Sequence, residues 1–250
     1  MCCAHFACRC SFDGGRPWYS AARTDPGKTR PRNEDAFLDC PQQGCGRWPT
    51  AWGPLGDIAS QLIVANLTEL PLYRDLAERS KAVRQCLRWT NRRLSQELTV
   101  TEDHPGIIGS TVVALLLEGN RGVCIWAGDS RCYLWRGRRL YQLTKDHSLQ
   151  QQLIDTQHIS RDEACAHPAA KALTRAVGAA PELTLEVLEL EVHPGDTFLL
   201  CSDGLYQGLG AQALGNALGL ASPSLALEHL FDDVLRGPAR DNLTAVVVRP

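Results

Sequence analysis

The sequence predicts an α+β domain in which antiparallel sheets are packed against pairs of helices. Three observations predict it. Apolar segments of strand length cluster between 107 and 143, separated by short Gly-containing turns. Segments of helical period come in pairs, near 57–99, 148–167 and 211–236. Strands grouped in runs and interrupted by paired helices pack as layers. The third observation concerns the ends of strands. Asp203 closes the run Phe198-Leu-Leu-Cys-Ser202, Asp129 follows Val123-Cys-Ile-Trp-Ala-Gly128, and Asp241 precedes Asn242-Leu-Thr-Ala-Val-Val-Val248. One Asp-Gly after a core strand is an ordinary turn; three strands that each place a carboxylate at one end suggest a common edge.

Taken in order, residues 1–17 show no period and are expected to be an irregular extension, with the folded domain at 18–250. Trp18 to Thr24 reads as a strand and Ala36–Leu38 as the next. Between them lies the polar loop Asp25-Pro-Gly-Lys-Thr-Arg-Pro-Arg-Asn-Glu-Asp35. Its crowded Arg30, Glu34 and Asp35 admit two readings. They are opposite charges paired in solvent, or an arginine for an oxyanion beside carboxylates for a cation.

Residues 41–56 have no period, with two tryptophans and four glycines. A helix starts at Asp57 with Ile58, Leu62, Ala65 and Leu67 on its apolar side. A second covers 75–99, where Leu76, Val83, Leu87, Leu94 and Leu98 form one stripe and Arg84, Arg88, Arg92 and Arg93 a solvated face. Strands follow at 107–117, 123–127, 131–136 and 139–143, joined by turns at 118–122 and 136–138. Short helices at 148–155 and 160–167 come next, the latter with Ser160 and Glu163 at capping-box spacing. Residues 183–192 alternate as a half-exposed strand. Strands at 197–202 and 242–248 enclose helices at 211–219 and 223–236.

Composition narrows the function. A chain of 250 residues with 44% hydrophobic and 22% charged residues is typical of soluble globular proteins. A net charge of −2 gives no nucleic-acid footprint, and no apolar run reaches the ~18 residues of a membrane helix. Eleven cysteines, four of them in the first ten residues, lack the spacing of a zinc site; the rest are scattered, several within apolar strands. They are read as free thiols of a reducing cytoplasm. No Cys lies in a phosphate-cradling loop followed by Arg, which argues against a cysteine-nucleophile phosphatase.

The chain carries, in order, Thr24-Asp-Pro-Gly27, Arg30-x-x-Asn33-Glu34-Asp35, Gly109-Ser-Thr111, Ala127-Gly-Asp-Ser-Arg131, Leu143-Thr-Lys-Asp-His-Ser148, Leu173-Thr-Arg-Ala-Val-Gly178, Gly195-Asp196, Ser202-Asp-Gly204 and Arg240-Asp-Asn-Leu-Thr244. Over about 18–250 it resembles the metal-dependent protein serine/threonine phosphatases of the PPM, or PP2C-like, family. It looks like the small stand-alone bacterial members, including those that accompany type VI secretion systems. The resemblance implies a four-layer α/β/β/α sandwich of two antiparallel sheets flanked by helix pairs. It implies hydrolysis of phosphoserine and phosphothreonine in protein substrates, opposite a Ser/Thr kinase, by a cytoplasmic monomer. Two Mn²⁺ or Mg²⁺ ions are implied, with Asp203 and Asp241 on one and Glu34 on the other. Asp129 with Asp203 matches the site of a third ion in bacterial members. Arg30 would grip the phosphate, and Asp35 would orient ligands and water. Asp146 and His147 are expected to be structural, and Gly109 and Thr111 to pack the central strand. Hard oxygen ligands suit these ions, which activate water and neutralise phosphate charge.

One family motif is missing. Members carry a strand ending in Asp-Gly-Met-Gly-Gly, whose Asp bridges both ions. Here residues 44–56 contain no acidic residue, and Asp57 aligns with the helix start beyond the motif. Gly44 to Gly53 can be encoded as GGC TGT GGG CGG TGG CCG ACG GCA TGG GGC. Read from the third nucleotide, that string gives Leu-Trp-Ala-Val-Ala-Asp-Gly-Met-Gly. The expectation is an out-of-frame translation of about 44–55, or else natural loss of the motif and a phosphatase fold that only binds. The chain as written is expected to be much less active than its relatives.

Overall fold

The computed structural model describes residues 2–10, 18–40, 58–71, 73, 75–98 and 108–250. Ten strands form two five-stranded sheets. The first has the order β3-β1-β4-β5-β8, with β1 Cys2–Cys10, β3 Ala36–Cys40, β4 Ser110–Glu118, β5 Arg121–Ala127 and β8 Glu186–Glu191. The second has the order β2-β10-β9-β6-β7, with β2 Tyr19–Asp25, β10 Leu243–Arg249, β9 Thr197–Cys201, β6 Arg131–Arg136 and β7 Arg139–Gln142. Helices α1 Ile58–Thr68 and α2 Leu76–Arg92 cover the first sheet, α2 running on into a π-helical turn Arg93–Leu98. Helices α6 Ala211–Leu218 and α7 Pro223–Arg236 cover the second. Helices α3 Leu149–Gln157 and α4 Arg161–Ala166 pack on each other between β7 and β8, and a single turn, α5 Asp203–Tyr206, follows β9.

The four layers follow from strands buried on both faces. Along β4, Val112, Ala114 and Leu116 meet Ile63, Val83 and Leu87 of the helices. The intervening Val113, Leu115 and Leu117 meet Phe198, Leu200, Val246 and Val248 of the second sheet. Such a strand reads as an unbroken apolar run rather than an alternating one. On the far side Leu199, Cys201, Ala245 and Val247 take up Leu214, Leu227, Leu230 and Phe231. Strand β8, at a sheet edge, alternates half-buried and exposed as its sequence predicts. The turn between β6 and β7 uses positive φ at Gly137 and Arg138, the backbone of a two-residue hairpin. The capping box at Ser160 and Glu163 forms.

Two features differ from expectation. Residues 2–10, expected to be irregular, form β1, paired in parallel with β3 on one side and β4 on the other. The first sheet is therefore mixed rather than purely antiparallel. A stretch without period gave no strand signal; two neighbouring strands that each lack a partner on that side supply the hydrogen bonds instead. The insertion leaves both ring nitrogens of the fully buried His5 without a well-formed hydrogen bond. In α1 the buried face is Ala59, Ser60, Ile63 and Leu67; of the predicted stripe Leu67 is buried, while Ile58, Leu62 and Ala65 are half-buried. In α2 the predicted Leu76, Val83, Leu87 and Leu94 are all buried.

Candidate metal and phosphate site

The strand register brings the predicted residues to one end of the sandwich. Leu243 lies opposite Asp25, Ala245 opposite Cys201, and Cys201 opposite Arg131, so β2 ends where β10 starts, and β9 ends where β6 starts. In the first sheet Ala127, at the end of β5, faces Val112 near the start of β4, and β1 and β3 start at that same end. Asp129, Asp203 and Asp241 thus leave the sheets at a common edge, joined there by the loop 26–35.

That loop is fastened by Asn242. Its Oδ1 accepts the Glu34 N–H at 2.9 Å, and its Nδ2 donates to the carbonyls of Pro26 and Arg32 at 3.1 and 2.9 Å. Asn33 repeats the device locally. Its Nδ2 donates to Thr24 Oγ1 at 2.7 Å and its Oδ1 accepts the Asp35 N–H at 3.1 Å. Ser60, in the first turn of α1, donates to the Glu34 carbonyl at 2.6 Å. Gly204 lets α5 sit against this anchor: a Cβ there would lie 2.1 Å from the Asn242 carbonyl oxygen. Asp-Gly after β9 is a close approach, not only a turn.

The carboxylates are half-buried and repel one another. Burial, then Asp203 and Asp146, pushes Asp129 up to about 7. Burial, with Asp203 adding to it, pushes Asp35 up to about 6. Burial and then Asp241 raise Asp203. Asp35 Oδ1 accepts the Cys3 N–H at 3.1 Å, so β1 enters the sheet beside the site. Asp35 Oδ2 is buried without a well-formed hydrogen bond, although the Thr244 and Ser202 hydroxyls lie near enough to lower its pKa. Asp203 Oδ2 accepts from Gln207 Nε2 at 2.9 Å, and Gln207 Oε1 accepts from Lys171 Nζ at 2.7 Å.

Arg30 and Asp241, given separate tasks by the sequence, are paired with each other. The guanidinium donates through Nε and one terminal nitrogen to both carboxylate oxygens, at 2.9 and 3.0 Å. Asp241 raises the Arg30 pKa further, as Glu34 and Asp203 do to a smaller degree. Both partners are well exposed, 46% and 39%, so the pair is an open one that a phosphate or a cation can enter.

The donor chemistry fits a hard divalent cation. Every candidate ligand is a carboxylate, three half-buried carboxyls have their pKa raised by burial and neighbouring charge, and the buried Oδ2 of Asp35 lacks a well-formed hydrogen bond. The ligands are not closed around a point: among the described residues no three of His, Cys, Asp or Glu are arranged to hold a metal ion. The stretch 44–57, with its acid-free segment and Asp57, lies outside the described residues. Asn242, Gln207 and Tyr206 were not singled out from the sequence. Asn242 had a signal in the Arg240-Asp-Asn-Leu-Thr244 motif, whereas Gln207 and Tyr206 had none. The described cysteines Cys3, Cys40, Cys86, Cys124, Cys132, Cys165 and Cys201 are free thiols. An open cleft of about 460 Å³, lined by residues of α2, β5 and β8, lies at the opposite end of β5 from Asp129.

Comparison with known proteins gives a consistent picture. The sequence pattern of the family described as protein phosphatase 2C matches residues 54–246. The serine/threonine protein phosphatase PstP of Mycobacterium tuberculosis is 34% identical over 233 residues, covering 91% of this chain and 44% of PstP. The chain thus spans less than half the length of that curated relative. The structure of PppA, described as a key regulatory component of the type VI secretion system in Pseudomonas aeruginosa, superposes with a TM-score of 0.81 at 36% identity, over 94% of this chain and 98% of that one. The catalytic domain of PstP in complex with 2 manganese ions superposes with a TM-score of 0.75 at 31% identity, over 93% and 97%.

Proposed function

This chain belongs to the protein phosphatase 2C family, and on that premise we propose that it hydrolyses phosphoserine and phosphothreonine in proteins with Mn²⁺ or Mg²⁺. The observation that carries the proposal is the half-buried set Asp35, Asp129 and Asp203, raised by burial and by neighbouring carboxylates, beside an exposed Arg30–Asp241 pair. Glu34, Asp129, Asp203 and Asp241 would hold the ions. When bound, they would supply charge neutralisation and a water of lowered pKa.

The remaining work falls to the chain. Arg30 offers a planar fork to two phosphate oxygens once it leaves Asp241. Asn242 and Ser60 hold the Glu34 backbone from both sides. Gln207, itself held by Lys171, fixes one oxygen of Asp203, and Asp35, held by the Cys3 N–H and facing the Ser202 and Thr244 hydroxyls, is placed to orient neighbouring groups. We assign the phosphatase domain to 18–250, with β1 completing its first sheet. A phosphoprotein substrate, an opposing Ser/Thr kinase, a monomeric state and a cytoplasmic site of action belong to the same proposal. Among the described residues no helix is long and apolar enough to cross a membrane.

We also propose that residues of about 44–55 are an out-of-frame translation, with the codons for Leu-Trp-Ala-Val-Ala-Asp-Gly-Met-Gly one frame away. The gene sequence decides this, and codons that do not yield the motif in another frame refute it. The test of function is phosphate release from a phosphothreonine peptide with Mn²⁺, with and without EDTA. It is run on the chain as written and on a version carrying that nonapeptide in place of 44–53. The expected result is weak or absent release by the first, strong EDTA-sensitive release by the second, and loss on Asp203→Asn. Release unaffected by EDTA or by Asp203→Asn, or none from either version, refutes the assignment.

A further inference from the structure

Asp129 stands in a turn that is gripped from several sides. Gly128 has φ +116, and a Cβ there would lie 2.4 Å from Thr111 Cγ2, so only glycine fits and its backbone is intrinsically loose. Thr111 Oγ1 and Ser130 Oγ share a buried hydrogen bond of 2.8 Å. The Tyr206 hydroxyl donates to the Asp129 carbonyl at 3.1 Å. The Arg131 guanidinium lies 3.7 Å above the Tyr206 ring and binds both oxygens of Asp146 at 2.8 and 2.6 Å.

The remaining hold is His147. Its own N–H donates to the Gly128 carbonyl at 3.0 Å, and its Nδ1 accepts the buried Gly128 N–H, also at 3.0 Å. A nitrogen that accepts carries no proton, so the ring hydrogen is on Nε2. Nε2 lies 3.1 Å from Glu186 Oε1, its natural acceptor, and at a longer 3.4 Å from Arg175 Nη1, whose own shorter bond goes to that same Glu186 oxygen. Arg175 donates to the same Glu186 oxygen at 3.1 Å and keeps the carboxylate in place. The imidazole is 6% exposed and stacks on Trp126 at 6.1 Å and 10°, which leaves the ring no other orientation in which to make both bonds. Burial also holds its pKa below the ordinary histidine value, in keeping with a neutral ring.

We propose that His147 is a positioning residue for Asp129: fixed in the Nε2–H tautomer by Glu186, it clamps Gly128 at both its amide and its carbonyl and so aims the Asp129 carboxylate at a divalent cation. The inference rests on Asp129 being a cation ligand. Partners one step behind metal ligands commonly set affinity by about 10–100-fold.

The test uses two isosteres on the full chain, both unaltered and with Leu-Trp-Ala-Val-Ala-Asp-Gly-Met-Gly in place of 44–53. In His147→Asn, Oδ1 takes the place of Nδ1 and accepts the Gly128 N–H. In His147→Gln, the amide falls at the place of Nε2, and the Gly128 N–H is left without an acceptor. Mn²⁺ uptake is followed by titration calorimetry, Gly128 amide exchange by NMR, and the ring tautomer by ¹⁵N shifts of His147. Exchange of core amides in β9 and β10 checks that each variant is folded. Expected are an Nε2–H tautomer, Mn²⁺ affinity lowered about tenfold or more by His147→Gln with loss of Gly128 protection, and near-normal values in His147→Asn. The inference is overturned by a proton on Nδ1, or by Asn and Gln variants that behave alike. It is also overturned alone if Asp129→Asn weakens Mn²⁺ uptake and His147→Gln does not. If the nonapeptide version takes up no Mn²⁺, or Asp129→Asn changes nothing there, the cation reading of Asp129 falls and this inference with it.

Discussion

Replacing Asn242 by Ala tests whether one amide holds the loop that carries Glu34 and Asp35. The side chain makes three hydrogen bonds to that loop, and the residue is 5% exposed. At roughly 1 kcal/mol net for each bond the loss is at most about 3 kcal/mol. Pro26 and Arg32 are exposed, so water can take over their carbonyls, while the Glu34 amide is half-buried. The expected destabilisation is therefore about 2 kcal/mol. For a domain of this size that lowers Tm by roughly 4–8 °C. The assay is urea unfolding by tryptophan fluorescence, with an unchanged slope and a lower midpoint. Asn242→Asp keeps the acceptor for the Glu34 amide but turns a carboxylate toward two carbonyl oxygens, and is expected to be less stable than Asn242→Ala. A loss under about 0.5 kcal/mol, the range of inconsequential surface changes, would refute the claim that Asn242 anchors the loop.

Arg30→Ala removes an exposed pair worth about 0–1 kcal/mol, so stability should hardly move while KM for a phosphothreonine peptide rises; a large fall in Tm contradicts the open pair. His5→Leu replaces a buried imidazole whose ring nitrogens lack well-formed hydrogen bonds and should stabilise the chain by about 1 kcal/mol; a lower urea midpoint would show that the ring makes stabilising contacts with the nearby Ala36 and Cys201 backbone. The metal-free chain should lose stability as pH rises. Asp35 at about 6 and Asp129 at about 7 lie above an unfolded value of ~3.9, so the folded state binds more protons across that window and its advantage fades from about pH 4 to 7. Asp35 alone accounts for about 3 kcal/mol as an upper bound, and the shared repulsion with Asp203 makes the set non-additive. His5, lowered to about 4, acts in the opposite sense: it loses stability as pH falls below about 6.5. Urea midpoints in EDTA at pH 5 and 8 are therefore best compared in the His5→Leu background, and a higher midpoint at pH 8 would refute the sign.

Periodicity alone marked the main strands and helices from β2 onward and the carboxylates at their ends. Strand β4 is apolar from Val112 to Leu117 because both its faces are buried there, and the stripe Leu76, Val83, Leu87 and Leu94 is periodic because only one side of α2 and the turn that continues it meets a sheet. Local pattern records such burial directly. The ordered motifs also carried the family, since each is a short contiguous run. What the pattern did not record is pairing between distant segments. That residues 2–10 lie between β3 and β4 depends on two strands each having an unfilled edge, a property of the assembled sheet. That Arg30 closes on Asp241, 211 positions away, depends on β2 and β10 starting and ending at one edge. The roles of Asn242, Gln207 and His147 are likewise set by register, because a hydrogen bond of about 3 Å is decided by where whole strands stop, and no single residue carries that distance.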